Sequence, residues 1–435
     1  MASDSSKAQT IVKPNLLLRQ ILCFGLALIA LFCCYRLIIF SASVGYSRLL
    51  STVAIIQPNI EPADRAVRLT PNDPEAHYTR GLSLVNQQKL PEAVAELQHA
   101  IRLRPHHYYQ WLDLGVTLQR VGSQAEATAA LRESIRLAPS FSQPHWQLGN
   151  LLYRQELYDE AFQELRLGAK SNPNLVLAML DLAWVAAAGD VPRFESLTQP
   201  DSGRSHFELA RFLARHGKGA DSARHARTAG FPKDEDELSF ARQAIVDLLL
   251  WRSSAEAFDI WLLIHPNSNA GKGQLLNGDF SEPLLADDLG FGWQLPKSPN
   301  VTASIDPSGP TPNSRGLRIE FAGETQGEGQ LLYQLLLLVP NSNYSLSFLA
   351  KTEELVSGGP PVISILDASS ESPVILGRSK PLSPGTPDWT SNVVEFSTPE
   401  KSSTVIVALK RMPCSQSPCP VFGKLWLSRF VLTKS

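Results

Sequence analysis

The first hydrophobic feature of the chain is an almost wholly apolar run from Leu16 to Phe40. A helix needs about 20 such residues to cross the ~30 Å hydrocarbon core of a bilayer, so this run predicts one transmembrane helix over residues 16–40. Basic residues before the core of the run outnumber those after it, which favours a cytoplasmic N-terminus. Residues 1–15 are then a cytoplasmic tail, and everything after the span lies outside the cytoplasm.

A cleaved signal peptide is the competing interpretation of the same run. Ser41 and Ser43 are small residues of the kind that precede a cleavage site. The run is longer than the 7–15 apolar residues of a typical signal core, and Arg36 would be unusual near its far end. A retained span is therefore favoured, and whether the run is cleaved stays open.

A strict 34-residue period is the strongest pattern after the apolar run. It predicts three repeats, at 74–107, 108–141 and 142–175. Small residues let two antiparallel helices approach closely, a leucine fills the space between hairpins, and a proline ends the second helix. The recurring residues are Gly81, Ala93, Leu97 and Pro105, then Gly115, Ala127, Leu131 and Pro139, then Gly149, Ala161, Leu165 and Pro173.

This pattern resembles the tetratricopeptide repeat (TPR), a helical hairpin that stacks into an α-solenoid. Pro62 to Leu69 matches the closing helix of a truncated first unit. Irregular helix pairs are expected to complete a TPR domain over residues 60–265. These later helices are predicted at 175–188, 207–216, 220–229, 238–251 and 254–264.

The resemblance implies a concave face that is lined by the first helix of each repeat and binds a protein partner. Aromatic rings beside amides and single charges suit an extended peptide, although several of the rings could instead pack between helices. The carboxylate clamp of some family members is disfavoured, because Tyr78 and Leu82 stand where the clamp has Lys and Asn. The predicted groove residues are Tyr78, Asn86, Tyr109, Asp113, Arg120, Trp146, Asn150, Tyr153 and Arg154.

After His265 the helical periodicity gives way to short strand-like stretches between Pro, Gly, Asn and Ser residues. Residues 266–274 are predicted as a linker and residues 275–435 as an antiparallel β-sandwich. The expected strands lie at 316–321, 330–339, 344–351, 362–367, 374–377, 392–396, 404–410 and 424–432.

The opening of this region, Asn277–Glu282 followed by Trp293, resembles the start of jelly-roll carbohydrate-binding modules of families 4 and 9. The resemblance implies a galactose-binding-like jelly roll and polysaccharide as a second partner. Such modules often hold structural calcium through a carboxylate in the last strand. Here the last strand has no carboxylate at that place, and Arg429 would repel a hard cation. We therefore expect no calcium and no other cofactor.

Four aromatic residues of this region sit beside strand-like apolar residues, so the simpler interpretation places them in the core rather than on a sugar platform. They are Trp293, Tyr333, Trp389 and Trp426.

Two of the five cysteines, Cys414 and Cys419, close a short loop between two predicted strands. If this loop lies outside the cytoplasm, a disulfide is the natural interpretation, whereas a cytosolic protein would keep both thiols reduced.

Charge and chemistry exclude several functions. Forty basic residues against 42 acidic ones leave a net charge of −2, which disfavours nucleic-acid binding. All nine histidines lie between His77 and His265, and the sequence contains no phosphate loop, dinucleotide fingerprint or nucleophile elbow. No catalytic constellation and no metal site are predicted.

The sequence thus predicts an α + β multidomain protein with an N-terminal span, a TPR solenoid and a jelly roll. This arrangement resembles membrane-anchored bacterial TPR proteins that are associated with envelope polysaccharide machinery. The resemblance implies a single-pass membrane protein whose repeats and β-domain are periplasmic, acting as a non-catalytic scaffold in polysaccharide assembly or export. The alternative is an accessory glycan-processing enzyme with weak hydrolase activity. Neither the protein partner, the sugar nor the oligomeric state follows from the sequence.

Overall fold

The computed structural model describes residues 16–56, 59–266, 268, 270–284, 289–325, 329–369, 373–382, 384–386, 388–414 and 418–435. The predicted cytoplasmic tail, residues 1–15, lies outside this part of the chain, as do positions 267 and 269 of the predicted linker. The chain divides into two compact units, Met1–Gln199 and Pro200–Ser435. Each unit is described by itself.

The described part of the first unit is helical, and three of its hairpins coincide with the predicted repeats. These hairpins pair α3 with α4, α5 with α6, and α7 with α8. Helix α10 was not expected from the sequence; it begins where the Asp190 side chain accepts a hydrogen bond from the Arg193 amide. The helices are α1 Leu16–Ile56, α2 Glu61–Leu69, α3 Pro74–Asn86, α4 Leu90–Leu103, α5 Tyr108–Val121, α6 Gln124–Leu137, α7 Ser142–Arg154, α8 Tyr158–Ser171, a 3-10 turn Pro173–Leu175, α9 Val176–Ala186 and α10 Val191–Thr198.

The recurring glycines hold the two helices of each hairpin close together. A Cβ atom added at Gly115 would lie 2.7 Å from Leu131 Cγ, and one added at Gly149 would lie 2.7 Å from Leu165 Cγ. Ordinary contacts between carbon atoms are about 3.5–4.0 Å long. Only glycine therefore fits at these positions without moving the facing leucine or the helix that carries it.

Helix α1 continues well beyond the predicted end of the span at Phe40 and reaches Ile56. Its last turns pack on α2 and α3, where Leu50 is buried against Ala66 and Ala76. The buried Ser47 hydroxyl lies 2.6 Å from Thr70 Oγ1. The end of α1 is thus the first helix of the truncated unit, of which the sequence analysis recognised only the closing helix.

The earlier part of α1 is apolar and exposed over the residues whose side chains are described. Its length and composition are those of a membrane span. A signal sequence near an N-terminus meets the same criteria of length and composition.

The second unit combines four helices with antiparallel sheets, within the residues described. Eight of its strands overlap the predicted ones, and β1 was not predicted. The five-stranded sheet has the order β1-β2-β9-β4-β7, and the four-stranded sheet has the order β3-β8-β5-β6. The elements are α11 Gly203–Arg215, α12 Gly219–Ala229, α13 Glu235–Leu250, α14 Ser254–Ile264, β1 Val301–Asp306, β2 Gly316–Glu324, β3 Leu332–Leu337, β4 Asn343–Ser357, β5 Pro361–Asp367, β6 Val374–Arg378, β7 Thr390–Ser397, β8 Thr404–Arg411 and β9 Pro420–Lys434.

Both sheets contribute side chains to one hydrophobic cluster, which includes Phe348 of β4 and Val407 of β8. A second cluster joins the helices to the sheet region. In it, Phe291 and Leu337 pack with Trp261 of α14 and with the buried side chains of α11–α13. Helices α11–α14 therefore share a core with the sheet region. The domain limits and the jelly-roll classification stay predictions.

Candidate functional site

The predicted groove residues lie on α3, α5 and α7, the first helices of the three regular hairpins. Most of them are half-buried, and Asn86, Arg120 and Arg154 are exposed. The recurring hairpin geometry places equivalent positions of successive helices side by side, so residues far apart in sequence meet on one face.

Tyr78 and Asp113 are the best-defined contact between two repeats on this face. The Tyr78 hydroxyl donates a hydrogen bond to Asp113 Oδ2 over 2.5 Å. Burial raises the pKa of the Asp113 carboxyl, and the hydrogen bond from Tyr78 only partly opposes that shift. Burial and the nearby Asp113 also raise the pKa of the Tyr78 hydroxyl, so Tyr78 remains the donor.

Tyr109 extends this arrangement toward the start of α5. Its ring packs edge-on against Tyr78, with 5.1 Å between ring centroids. Its hydroxyl donates to Glu75 Oε2 over 3.5 Å, and Glu75 also pairs with Arg104 over 3.7 Å. Burial is the main cause of the raised pKa of Tyr109.

The two predicted arginines of the face contact neutral amides. Arg120 Nη2 donates to Gln88 Oε1 over 2.9 Å. With the amide oxygen of Gln119 turned toward it, Arg154 donates to that oxygen through Nη1 over 2.6 Å and through Nη2 over 3.1 Å. Each arginine thus reaches back to the preceding repeat, and its positive charge stays available to a ligand.

Predicted groove residues of the third repeat make hydrogen bonds and ring contacts with other residues of the first unit. Asn150 Nδ2 donates to the Trp146 carbonyl, one turn earlier on α7. Tyr153 packs edge-on against Tyr158, and its hydroxyl donates to the Leu182 carbonyl over 3.4 Å. Tyr78 and Tyr153 both pack on one side against the core of the repeats. For these two rings the packing interpretation therefore holds in part.

Histidine–glutamate pairs are a feature that the sequence analysis missed. His77 Nδ1 lies 2.7 Å from Glu96 Oε2, and the equivalent His145 Nδ1 lies 2.6 Å from Glu164 Oε2. The other nitrogen of each ring contacts a carbonyl of the preceding loop, that of Pro71 and Pro139 respectively. The common 19-residue spacing within each pair was the available signal. Each pair joins the two helices of one hairpin, α3 to α4 and α7 to α8.

The opening motif of the sheet region is fixed against the last strand. The Gly278 carbonyl accepts from the Phe430 amide over 2.8 Å, and the Asn277 carbonyl accepts from Trp293 Nε1 over 3.1 Å. Trp293 and Trp426 are buried, as the packing interpretation expects, whereas Tyr333 and Trp389 are half-buried. Within the described residues, no three His, Cys, Asp or Glu side chains are grouped to hold a metal ion.

Cys414 and Cys419 are joined as a disulfide, with their Cα atoms 6.2 Å apart. The guanidinium of the buried Arg411 lies beneath it, donating through Nη2 to Cys419 Sγ and to Ser357 Oγ, each over 2.9 Å. Burial lowers the pKa of Arg411. The disulfide therefore lies in a polar, hydrogen-bonded setting at the start of β9.

Comparison with known families supports the repeat assignment. The model of the tetratricopeptide repeat family matches residues 61–108 and 112–176. This part of the chain carries tetratricopeptide repeats, which confirms the repeats predicted from the 34-residue period, and such repeats imply a protein-interaction scaffold. A search of curated protein sequences finds no match.

Similar solved structures include helical and β proteins. MamA (41-end) from Desulfovibrio magneticus RS-1 is 20% identical over 36% of this chain and 92% of its own, with a TM-score of 0.33. YrrB, a TPR protein with an unusual peptide-binding site, is 17% identical over 50% of this chain and 88% of its own, with a TM-score of 0.29. A structure described as CBM4 structure and function is 14% identical over 37% of this chain and 100% of its own, with a TM-score of 0.29. Similarities this low carry no functional conclusion.

Proposed function

We propose that this protein is a non-catalytic, membrane-anchored scaffold whose repeats hold an extended peptide segment of a protein partner. In this proposal α1 is a retained single span with a cytoplasmic N-terminus, and the β-region is a periplasmic jelly roll that contacts a polysaccharide or a second protein of the cell envelope. The jelly roll and its glycan rest on the resemblance of the Asn277–Glu282 opening to carbohydrate-binding modules.

One observation carries the peptide-binding part of the proposal. Helices α3, α5 and α7 carry the half-buried aromatic side chains Tyr78, Tyr109 and Trp146, and the same helices carry the exposed arginines Arg120 and Arg154. Rings that are neither fully packed nor fully solvated can gain contact area when a ligand covers them, and the arginines can donate to the carbonyls of an extended chain.

The test uses the full chain in detergent and a library of fluorescent octapeptides, with binding followed by fluorescence polarisation. The triple variant Tyr109→Ala, Trp146→Ala and Arg154→Ala should lose at least tenfold in affinity, because it removes two rings and one donor of the face. A control variant with Glu126→Ala and Leu157→Ala, two exposed residues outside the predicted groove, should bind within twofold of the wild type.

Circular dichroism separates a binding defect from a folding defect. The triple variant should keep its helical signal, since Tyr109 and Trp146 are only half-buried, Arg154 is exposed, and the fully buried positions of the hairpins are unchanged. Unchanged peptide affinity in the triple variant would place the binding site elsewhere, and loss of the helical signal would show that these residues belong to the core.

The membrane topology is tested with reporters that are active only outside the cytoplasm. A reporter fused after Ser435 should be active, and one fused before Leu16 should be inactive. Recovery of a soluble mature protein that lacks the apolar run would instead establish the signal-peptide interpretation.

A further inference from the structure

The charge balance around Asp113 is unlike that of the neighbouring carboxylates. Glu96 pairs with Arg80 over 2.7 Å, and Glu75 pairs with Arg104 over 3.7 Å. Asp113 has the Tyr78 hydroxyl as its side-chain partner, and no basic group of the described chain lies within ion-pair distance of it. The carboxylate is therefore half-buried without a positive charge beside it.

Such an arrangement costs free energy in the unbound protein. A carboxylate that leaves water loses hydration, and a single neutral hydrogen bond replaces only part of it. Burial correspondingly raises the pKa of Asp113. An asparagine at this position could accept the Tyr78 hydrogen bond without the cost of a buried charge.

The surroundings of Asp113 suit a cationic group. Tyr78 links the carboxylate to Tyr109, whose ring lies 5.1 Å from that of Tyr78. Aromatic faces attract ammonium and guanidinium groups, and a carboxylate adds the opposite charge. Arg120 lies seven residues later on α5, about 10 Å along the helix axis, so it does not neutralise the site.

We infer that the peptide segment bound by this face carries a lysine or arginine side chain that pairs with Asp113 beside the Tyr78 ring. This inference rests on the proposed function, because it names the chemistry of the segment that the same face binds. A basic side chain supplies the missing counter-charge, and its aliphatic stem covers the tyrosine ring. The basic side chain of the partner then forms with Asp113 the ion pair that no residue of the described repeats provides.

The experiment uses the full chain in detergent and a positional-scanning library of N-acetylated, C-amidated octapeptides. The blocked ends ensure that a positive charge comes from a side chain. We expect lysine or arginine to be selected at one position, and Nε-acetylation of that lysine to weaken binding about tenfold, which corresponds to about 1.4 kcal/mol.

Two matched variants locate the effect. Asp113→Asn keeps the shape of the side chain and should abolish the preference for a basic residue, whereas Glu126→Gln removes one exposed charge on α6 and should leave the preference intact. Asp113→Lys should reverse the selection toward glutamate or aspartate. Raised salt should weaken binding of the basic peptides more than that of their acetylated forms.

The outcomes distinguish this inference from the proposed function. If the wild-type protein binds none of the peptides, the proposed function fails. If it binds peptides without a preference for a basic residue, or if Asp113→Asn retains that preference, peptide binding stands and the assignment of Asp113 is wrong. Should a variant fail to fold, wild-type protein alone can still overturn the inference, because equal affinity for the lysine peptide and its acetylated form would mean that no positive charge is recognised.

Discussion

Replacing Phe291 with alanine tests whether helices α11–α14 and the sheet region fold as one structure. Phe291 belongs to a loop before β1, is 2% exposed, and packs with ring centroids 5.1 Å from Phe258 and 5.9 Å from Trp261 on α14. Truncating a buried phenylalanine to alanine costs about 3–5 kcal/mol, because apolar contacts are lost and a cavity remains. A domain is stable by only about 5–15 kcal/mol, so this is a large part of the total.

The assay combines calorimetry with hydrogen exchange of the full chain. At about 2–4 °C per kcal/mol for a unit of this size, the transition that includes α14 should fall by about 6–20 °C. Amides of α14 should exchange faster together with those of the sheets, since one core holds both. Phe422→Ala is the matched control, because Phe422 lies on β9 and is 48% exposed, and it should shift the transition by only a few degrees.

One result would refute the reasoning. If Phe291→Ala leaves the exchange of α14 unchanged while the sheets are destabilised, the shared cluster does not couple the two regions. Helices α11–α14 would then be stable independently of the sheets.

Three further predictions concern the repeats and the disulfide. Gly115→Ala should destabilise the repeats by about 1–2 kcal/mol in urea unfolding, because its Cβ would lie 2.7 Å from Leu131 Cγ, and by less in a Leu131→Ala background. Burial raises the pKa of the Asp113 carboxyl in the folded state. The carboxyl therefore stabilises the folded protein below its ordinary pKa of about 4, and this stabilisation is lost as the pH rises through the raised value. Asp113→Asn should therefore melt above wild type at pH 7, and the difference should close toward pH 3. Cys414→Ser should cost about 2 kcal/mol by calorimetry, the chain-entropy estimate for so short a loop, and thiol labelling of denatured, unreduced wild type should mark only three of the five cysteines.

The sequence predicts those parts of the fold that a local, repeated pattern encodes. The helical hairpins could be predicted because close packing of two helices requires small residues at the same positions of every repeat. Most strands follow from apolar runs between turn residues. Strand β1, Val301–Asp306, was not predicted because its exposed threonine and serine leave it without a run of apolar residues. Helix α10 escaped because it is only eight residues long.

Contacts between distant residues were beyond the sequence analysis. The groove residues were predicted as a set, but the contact of Tyr78 with Asp113 depends on how successive hairpins stack. Phe291 gave no signal, since a single aromatic residue in a loop belongs to no periodic pattern. Ser47 did carry one, because it lies 34 residues before Gly81 and is likewise small. Its place within an apolar helix concealed that signal.

If the apolar part of α1 is a retained membrane span, the continuity of this helix determines how the repeats are held at the membrane surface. Where residues 16–40 span a bilayer, Ser47 follows the span by seven residues, about 10 Å of helix, and already packs on Thr70. A flexible tether would let the repeats rotate and tilt freely, whereas an unbroken helix transmits the tilt and rotation of the span to them. The proposed peptide-binding face would then lie at a fixed distance from the lipid headgroups and in a fixed orientation to them. A partner anchored in the same membrane could engage it only if its own segment emerges at a matching height.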